Sequence, residues 1–182
     1  LRLFCYLYFK RTIMRDATSI GRVALLHPAI RQEVAELIDK AEANLPSNSK
    51  VRIVQGLRTK DEQDALYAQG RTKPGHIVTN ARFGQSYHCY GLAIDFAIMY
   101  DKDNNGSFEV LSWDTNYDFD KDGVSDWQEV VKVFKEAGYT WGGNFNSIKD
   151  NPHLEKTFGY NWRVLLQRYN AKDFIEGEYV RL

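Results

Sequence analysis

Residues 92–98 constrain the fold more than any other stretch of this sequence. They alternate between large apolar side chains and small or acidic ones: Leu92, Ala93, Ile94, Asp95, Phe96, Ala97 and Ile98. A period of two predicts a β-strand whose large residues face the core. Asp95 then lies on the opposite face between two alanines, where its carboxylate has space beside it for a ligand. A metal ion is the natural candidate.

Two histidines supply further candidate metal ligands. His88 stands seven residues before Asp95, and His153 ends the later segment Asp-Asn-Pro-His at 150–153. Two histidines and one carboxylate with an open fourth position form the usual ligand set of a hydrolytic zinc site. A histidine taken alone is more often structural, but together these residues indicate a zinc site on His88, Asp95 and His153.

A zinc hydrolase also needs a general base close to the attacking water, and Asp150 is the candidate. It stands three residues before His153. Pro152 disfavours a helical conformation at Asn151, so we expect an extended or turn geometry for this segment.

Arg58 is the candidate for stabilising the oxyanion of the tetrahedral intermediate. It lies between a strand predicted over 50–57 and a helix predicted from the capping box of Thr59 and Glu62 to Gly70. Functional side chains are often presented at such junctions. The alternative is a solvated surface arginine without a role.

A second candidate metal site is acidic. Residues 118–129 fit the twelve-residue calcium-binding loop at each defined position, with glycine at position 6 for the sharp turn. The predicted calcium ligands are Asp118, Asp120, Asp122, Val124, Asp126 and Glu129. The alternative is a solvated acidic loop that binds no ion. The run 101–106 begins in the same way, but Ser112 replaces the bidentate glutamate, which leaves half a site or a hairpin turn.

Helical periodicity predicts three further helices, over 28–45, from the calcium loop to Ala137, and around 162–169. Tyr179 and Val180 are a candidate additional strand. The 24 basic and 24 acidic residues cancel, which argues against a nucleic-acid partner. No apolar run approaches the roughly 18 residues of a membrane span. We expect a monomer.

Residues 1–13 are predicted to be a disordered or non-native extension, with Met14 as the natural start. The apolar run from Leu3 to Phe9 is too short for a signal peptide with its cleavage site. Lys10 and Arg11 also follow this run, whereas a signal peptide carries its positive charge in front. Residues 14–182 are predicted to form a single domain with an acidic insert at 101–129.

Two segments resemble the motifs of a known family. Residues 86–95, Ser-Tyr-His-Cys-Tyr-Gly-Leu-Ala-Ile-Asp, resemble the SxHxxGxAxD motif of the D-Ala-D-Ala carboxypeptidase family of zinc peptidases, and residues 150–153 resemble its partner motif. The aspartate at 150, the Gly-Leu-Arg-Thr segment at 56–59 and the Trp-Gly-Gly run at 141–143 resemble one branch. That branch is the L-alanyl-D-glutamate endopeptidases of phage endolysins and bacterial cell-wall hydrolases.

The resemblance implies an α+β fold, with helices packed on a small antiparallel sheet that carries the zinc, as in hedgehog domains and D-Ala-D-Ala peptidases. It implies a set of roles: zinc ligands His88, Asp95 and His153, catalytic base Asp150, transition-state arginine Arg58, and substrate-binding residues Ser86, Gln63 and Trp141. The implied reaction cleaves the bond between L-alanine and D-glutamate in the peptidoglycan stem peptide. With no signal peptide evident, we expect either an endolysin-type release to the cell wall or an incomplete N-terminus.

Two alternative functions stay open. Within the enzymes, the alternative is D,D-carboxypeptidase activity on D-Ala-D-Ala termini. Outside them, it is a non-catalytic zinc-bearing binding module, since hedgehog domains share this metal site. Asp150 argues against the module, because a binding module needs no general base.

Overall fold

A computed structural model describes residues 16–146 and 148–182 of the chain. Five α-helices and five β-strands follow one another in this part: α1 (Ala17–Ala24), α2 (Pro28–Glu42), β1 (Ser49–Gln55), α3 (Lys60–Ala68), β2 (Ala93–Tyr100), β3 (Val110–Ser112), α4 (Asp126–Glu136), β4 (Thr140–Trp141), β5 (His153–Glu155) and α5 (Trp162–Asn170). Two short 3-10 helices span Tyr87–Tyr90 and Gly142–Asn144. The predictions for residues 1–13 lie outside the described residues.

The five strands form one antiparallel sheet around β2. Its order is β1-β2-β5-β4, and β3 pairs with the far end of β2. β5 pairs with the first three residues of β2 and β3 with the last three, so both occupy the edge that β1 leaves open. The predicted α+β fold with a small antiparallel sheet is confirmed.

The core forms where the helices cover the large side chains of β2. Leu92, Ile94 and Phe96 are completely buried, as their alternation predicts. The Phe96 ring packs on Trp127 of α4, with ring centroids 4.4 Å apart. α2 packs against both β1 and α4. Burial of these apolar side chains is the main stabilising contribution to the fold.

The helix ends follow the capping signals in the sequence. Thr59 caps α3 through both bonds of a capping box: its hydroxyl accepts from the backbone of Glu62, and the Glu62 carboxylate accepts from the backbone of Thr59. Ser125 caps α4 by accepting from the backbone N–H of Gln128. α2 ends at Glu42, three residues earlier than predicted.

The segment before β2 is not extended, since His88 and Cys89 lie in a 3-10 helix and β2 begins at Ala93. The prediction of a strand at Tyr179 and Val180 was wrong. Val180 makes only an isolated bridge with Phe174 and adds no strand to the sheet. In the part of the chain that the structure covers, no helix is both long enough and apolar enough to cross a membrane.

Candidate metal centre and catalytic cleft

Strand register places two of the predicted metal ligands side by side. Asp95 on β2 lies directly opposite His153 on β5, and Ala93 lies opposite Glu155. Side chains of directly opposed residues share one face of a sheet and lie in contact distance. The pairing of two strands that are 58 residues apart in sequence therefore builds half of the centre.

His88 reaches the same point from the 3-10 helix before β2. Gly91 ends this helix with φ of 67° and turns the chain into the strand. A Cβ atom there would lie 2.7 Å from the backbone nitrogen of His27, so both conformation and space require glycine.

The three donor atoms form a nearly equilateral triangle. His88 Nε2 lies 3.1 Å from Asp95 Oδ1 and 3.2 Å from His153 Nδ1, and His153 Nδ1 lies 3.1 Å from Asp95 Oδ1. A tetrahedral ion with ligand bonds of about 2.0–2.1 Å places its ligands about 3.3 Å apart. The triangle therefore fits such an ion with little movement.

Each histidine has its other ring nitrogen bonded to a fixed acceptor. His88 Nδ1 lies 2.8 Å from the carbonyl oxygen of Gly56, and His153 Nε2 lies 2.8 Å from Glu155 Oε2. If these nitrogens carry the protons, His88 Nε2 and His153 Nδ1 remain as lone-pair donors toward the centre. The surroundings thus favour the tautomers that a metal requires.

The charges at the centre shift the pKa values of its members. Burial alone would raise the pKa of Asp95, but the two histidines outweigh it and hold that pKa well below its usual range. Burial alone would lower the pKa of His153, yet hydrogen bonds to Asp95 and Glu155 raise it to about 9. Asp95 is thus held ionised, and Asp95 and Glu155 place negative charge on both sides of the His153 ring, as a cation site needs.

Asp150 lies beside the centre on a tight turn. Its backbone N–H donates to the carbonyl of Gly142 at 3.1 Å, and its own carbonyl accepts from the N–H of His153 at 3.1 Å. Partial burial and the charge of Asp95 raise the pKa of its carboxyl group. A carboxylate with a raised pKa is a better proton acceptor for general-base catalysis.

Arg58 reaches the centre from the turn between β1 and α3. Its Nη2 lies 3.8 Å from Asp95 Oδ2, and its Nη1 donates to Gln63 Oε1 at 3.0 Å. Gln63 is completely buried and donates in turn to the carbonyl of Ala81 at 2.6 Å. Arg58 is therefore an anchored, mostly buried side chain and not a solvated one.

These groups line a cleft of about 470 Å³. Besides the metal donors, its walls include the following residues: Arg58, Leu66, Val78, Thr79, Ala81, Gln85, Ser86, Tyr87, Phe145, Asp150 and Glu155. Of the predicted substrate-binding residues, Ser86 lines the cleft, whereas Gln63 lies beneath it behind Arg58. Trp141 is also not a wall residue, and its indole N–H donates to the carbonyl of Asn151 at 2.7 Å.

Two supporting groups of the centre, Glu155 and the carbonyl of Gly56, were not predicted from the sequence. A signal for Glu155 exists, since His153 and Glu155 flank the buried Leu154 with the period of a strand. β5 has only three residues, which is too short for periodicity to identify. A backbone carbonyl leaves no trace in the residue types at all.

The acidic insert brings part of its predicted ligand set together. Asp118, Asp120 and Asp122 lie close enough to share one ion, and Asp118 accepts from the backbone N–H groups of Asp122 and Gly123. The Glu129 Oε2 atom is buried without a hydrogen-bond partner. Burial and the surrounding aspartates raise the pKa of Glu129 to about 7.

Asp126 and the first acidic run differ from the expected pattern. Asp126 is completely buried and accepts from the hydroxyl of Tyr100 at 2.5 Å and from the N–H of Phe119 at 3.3 Å. In the run that begins at 101, Asp101 and Asp103 converge with Glu109 in the hairpin between β2 and β3.

Comparison with known proteins agrees with this geometry. A family model described as D-alanyl-D-alanine carboxypeptidase matches residues 79–156, which include the metal donors and Asp150. The peptidoglycan L-alanyl-D-glutamate endopeptidase CwlK of Bacillus subtilis (strain 168) is 49% identical over 130 residues, which cover 71% of this chain and 72% of CwlK.

Two further relatives extend the comparison. The L-alanyl-D-glutamate peptidase of Listeria phage A118 is 28% identical over 143 residues, 78% of this chain and 42% of the phage protein. The crystal structure of the L-Ala D-Glu endopeptidase ChiX of Serratia marcescens matches the fold with a TM-score of 0.51 at 21% identity. This match covers 81% of this chain and 92% of ChiX. The chain belongs to the D-alanyl-D-alanine carboxypeptidase family of metallopeptidases.

Proposed function

We propose that this protein is a zinc-dependent peptidoglycan hydrolase that cleaves the L-Ala–D-Glu bond of the stem peptide at the cell wall. The observation that carries the proposal is the triangle of donor atoms from His88, Asp95 and His153 in a cleft that Asp150 and Arg58 also line. The choice of bond is supported by the names of the relatives CwlK and the phage A118 peptidase.

The side chains in the cleft have different roles in hydrolysis. Zinc, when bound by the three donors, lowers the pKa of a water molecule to about 7 and polarises the scissile carbonyl. Asp150 accepts a proton from the attacking water as the water adds to the carbonyl carbon. It then returns a proton to the D-glutamate nitrogen as the C–N bond breaks. Arg58 donates hydrogen bonds to the oxyanion that develops on the carbonyl oxygen.

Three further residues support these roles. Ser86 lies in the wall of the cleft and offers its hydroxyl to the peptide backbone of the substrate. Gln63 and Trp141 act indirectly, because Gln63 holds the guanidinium of Arg58 and Trp141 holds the carbonyl of Asn151. Gln63 is completely buried, so it orients Arg58 rather than touching the stem peptide.

The test is digestion of purified peptidoglycan followed by mass spectrometry of the released termini. Wild type is expected to release new N-terminal D-glutamate or D-isoglutamine. Asp150→Asn is expected to lose about 10²–10⁴-fold in rate, whereas Asp173→Asn, a surface carboxylate paired with Arg181, retains full activity. Released D-alanine would instead indicate a carboxypeptidase. Absence of cleavage with zinc bound would indicate a binding module.

We also propose that the insert at 118–129 binds calcium. The supporting observation is Glu129, which buries an unpartnered carboxylate oxygen and whose pKa is raised partly by the charges of the three clustered aspartates. A buried carboxylate oxygen without a partner is costly. A calcium ion offers it a ligand bond, as position 12 of the loop does in calcium-binding proteins.

Calorimetric titration with calcium tests this second proposal. Glu129→Gln is expected to weaken binding at least about 10-fold, since it removes the bidentate ligand. Glu136→Gln lies on the same helix in an exposed pair with Lys40 and serves as the matched control. Equal affinity in wild type and Glu129→Gln, or no heat of binding at all, would contradict the proposal.

A further inference from the structure

We infer that Glu155 is a positioning residue that sets the tautomer and ring orientation of His153 for metal binding. The inference rests on the proposed zinc site. His153 presents Nδ1 to the donor triangle, at 3.1 Å from Asp95 Oδ1, and its Nε2 lies 2.8 Å from Glu155 Oε2. A neutral imidazole has one N–H and one lone pair, so a metal on Nδ1 requires the proton on Nε2.

Strand geometry places the Glu155 side chain beside His153. His153 and Glu155 are two residues apart on β5, and residues with this spacing share one face of a strand. Across the ladder, Glu155 faces Ala93. Because alanine is small, the cross-strand position leaves space in which the Glu155 carboxylate folds back to His153. A large side chain at 93 would compete for the same volume.

Burial makes the Glu155 contact hard to replace. The side chains of His153 and Glu155 are only 9% and 14% exposed, and the ring of Phe145 packs near His153 with centroids 5.8 Å apart. Water therefore has little access to the Nε2–H group. If the carboxylate were removed, His153 would lose the acceptor that favours its Nε2–H tautomer and that helps to fix its ring orientation.

The two histidines of the centre differ in the kind of group that lies against their second ring nitrogen. The Nδ1 atom of His88 lies against the carbonyl oxygen of Gly56, a backbone group that no substitution removes. His153 depends on a side chain instead. A single substitution of Glu155 is therefore expected to change metal binding, although it alters neither a metal ligand nor a catalytic group.

The test measures zinc affinity by chelator competition, in the absence of substrate. Glu155→Ala is expected to bind zinc about 10–100-fold more weakly than wild type. Glu155→Gln keeps an oxygen acceptor and is expected to recover most of that loss. Glu36→Ala removes an exposed carboxylate on α2 and is expected to leave the affinity unchanged. Long-range ¹H–¹⁵N correlation of the zinc-bound wild type is expected to show the His153 proton on Nε2.

Three outcomes would overturn the inference. The first is zinc affinity in Glu155→Ala within twofold of wild type. The second is a zinc-bound wild type whose His153 carries its proton on Nδ1. The third is a raised KM with unchanged metal affinity, which would assign Glu155 to the substrate. Zinc affinity and the position of the His153 proton do not depend on which peptide bond is cut, so failure of the proposed reaction would be seen separately in the digestion products.

Discussion

The substitution Gly142→Ala tests whether the turn that carries Asp150 has room to move. Gly142 is buried at the start of the second 3-10 helix, and its carbonyl accepts from the N–H of Asp150. Its φ lies outside the left-handed region, so alanine can adopt the same backbone conformation. The only consequence of the change is the volume of one methyl group.

The size of the disturbance follows from the distances around that methyl group. A Cβ atom on Gly142 would lie 2.4 Å from the carbonyl oxygen of Asp150 and 3.0 Å from the Cβ of His153. Favourable contacts begin near about 3.4–3.5 Å, so the Asp150 backbone must retreat by about 1 Å. A displacement of about 1 Å in a catalytic group costs on the order of 100-fold in rate.

Steady-state hydrolysis of a stem-peptide substrate by zinc-loaded enzyme measures this effect. Gly142→Ala is expected to lower kcat/KM on the order of 100-fold while the protein stays folded by circular dichroism. Gly21→Ala is the matched control, because a Cβ atom on Gly21 in α1 meets nothing within 4 Å. That substitution is expected to raise stability slightly through helix propensity, with activity unchanged.

A Gly142→Ala enzyme with activity within threefold of wild type would refute this reasoning. Such a result would mean that the turn relaxes away from the methyl group without moving the Asp150 carboxylate. Loss of folding would be recognised from the circular dichroism, and zinc content measured on the same samples separates displacement of Asp150 from displacement of His153.

Three further predictions concern the metal, pH and a helix cap. Removal of zinc by a chelator is expected to abolish hydrolysis. It should also lower Tm, because zinc at about 100 times its Kd stabilises the folded state by about 2.7 kcal/mol. Activity that persists in chelator would contradict the zinc assignment. Burial lowers the pKa of His27 below 6.5, so the unfolded chain binds a proton there that the folded chain does not. Below about pH 6.5 the free energy of unfolding should therefore fall by up to about 1.4 kcal/mol per pH unit, and urea titrations of His27→Gln should lack that part of the slope. Thr59→Ala removes the cap of α3 and is expected to cost about 1 kcal/mol in the free energy of unfolding, measured by the same titrations.

Much of the fold was predictable because its signals are local. The alternation over 92–98 identifies β2 and its buried face, and the capping box at Thr59 marks the start of α3 to the residue. Such patterns show which face of a helix or strand is apolar, and that face is the one that packs into the core. The 3-10 helix at Tyr87–Tyr90 could not be predicted in this way, because a four-residue 3-10 turn has no comparable period.

The candidate site was predictable in its residue types but not in its supporting contacts. The types and spacing of His88, Asp95 and His153 identify them as candidate ligands, and the structure brings them together. That Gln63 lies under Arg58 depends on how α3 docks beside the loop that carries Ala81. Contacts of this kind join residues that no local period relates, so they require the tertiary structure.

The position of β5 explains why a three-residue strand can carry so much of the site. Leu154 is completely buried, and the period of two then turns His153 and Glu155 to the opposite face. Hydrogen bonds beyond both ends of the pairing hold the register, from Phe96 N–H to the Pro152 carbonyl and from Lys156 N–H to the Leu92 carbonyl. A slip of one residue would turn both polar side chains into the apolar core and Leu154 toward the cleft. The hydrophobic core therefore enforces the alignment of Asp95 with His153 that the donor triangle needs.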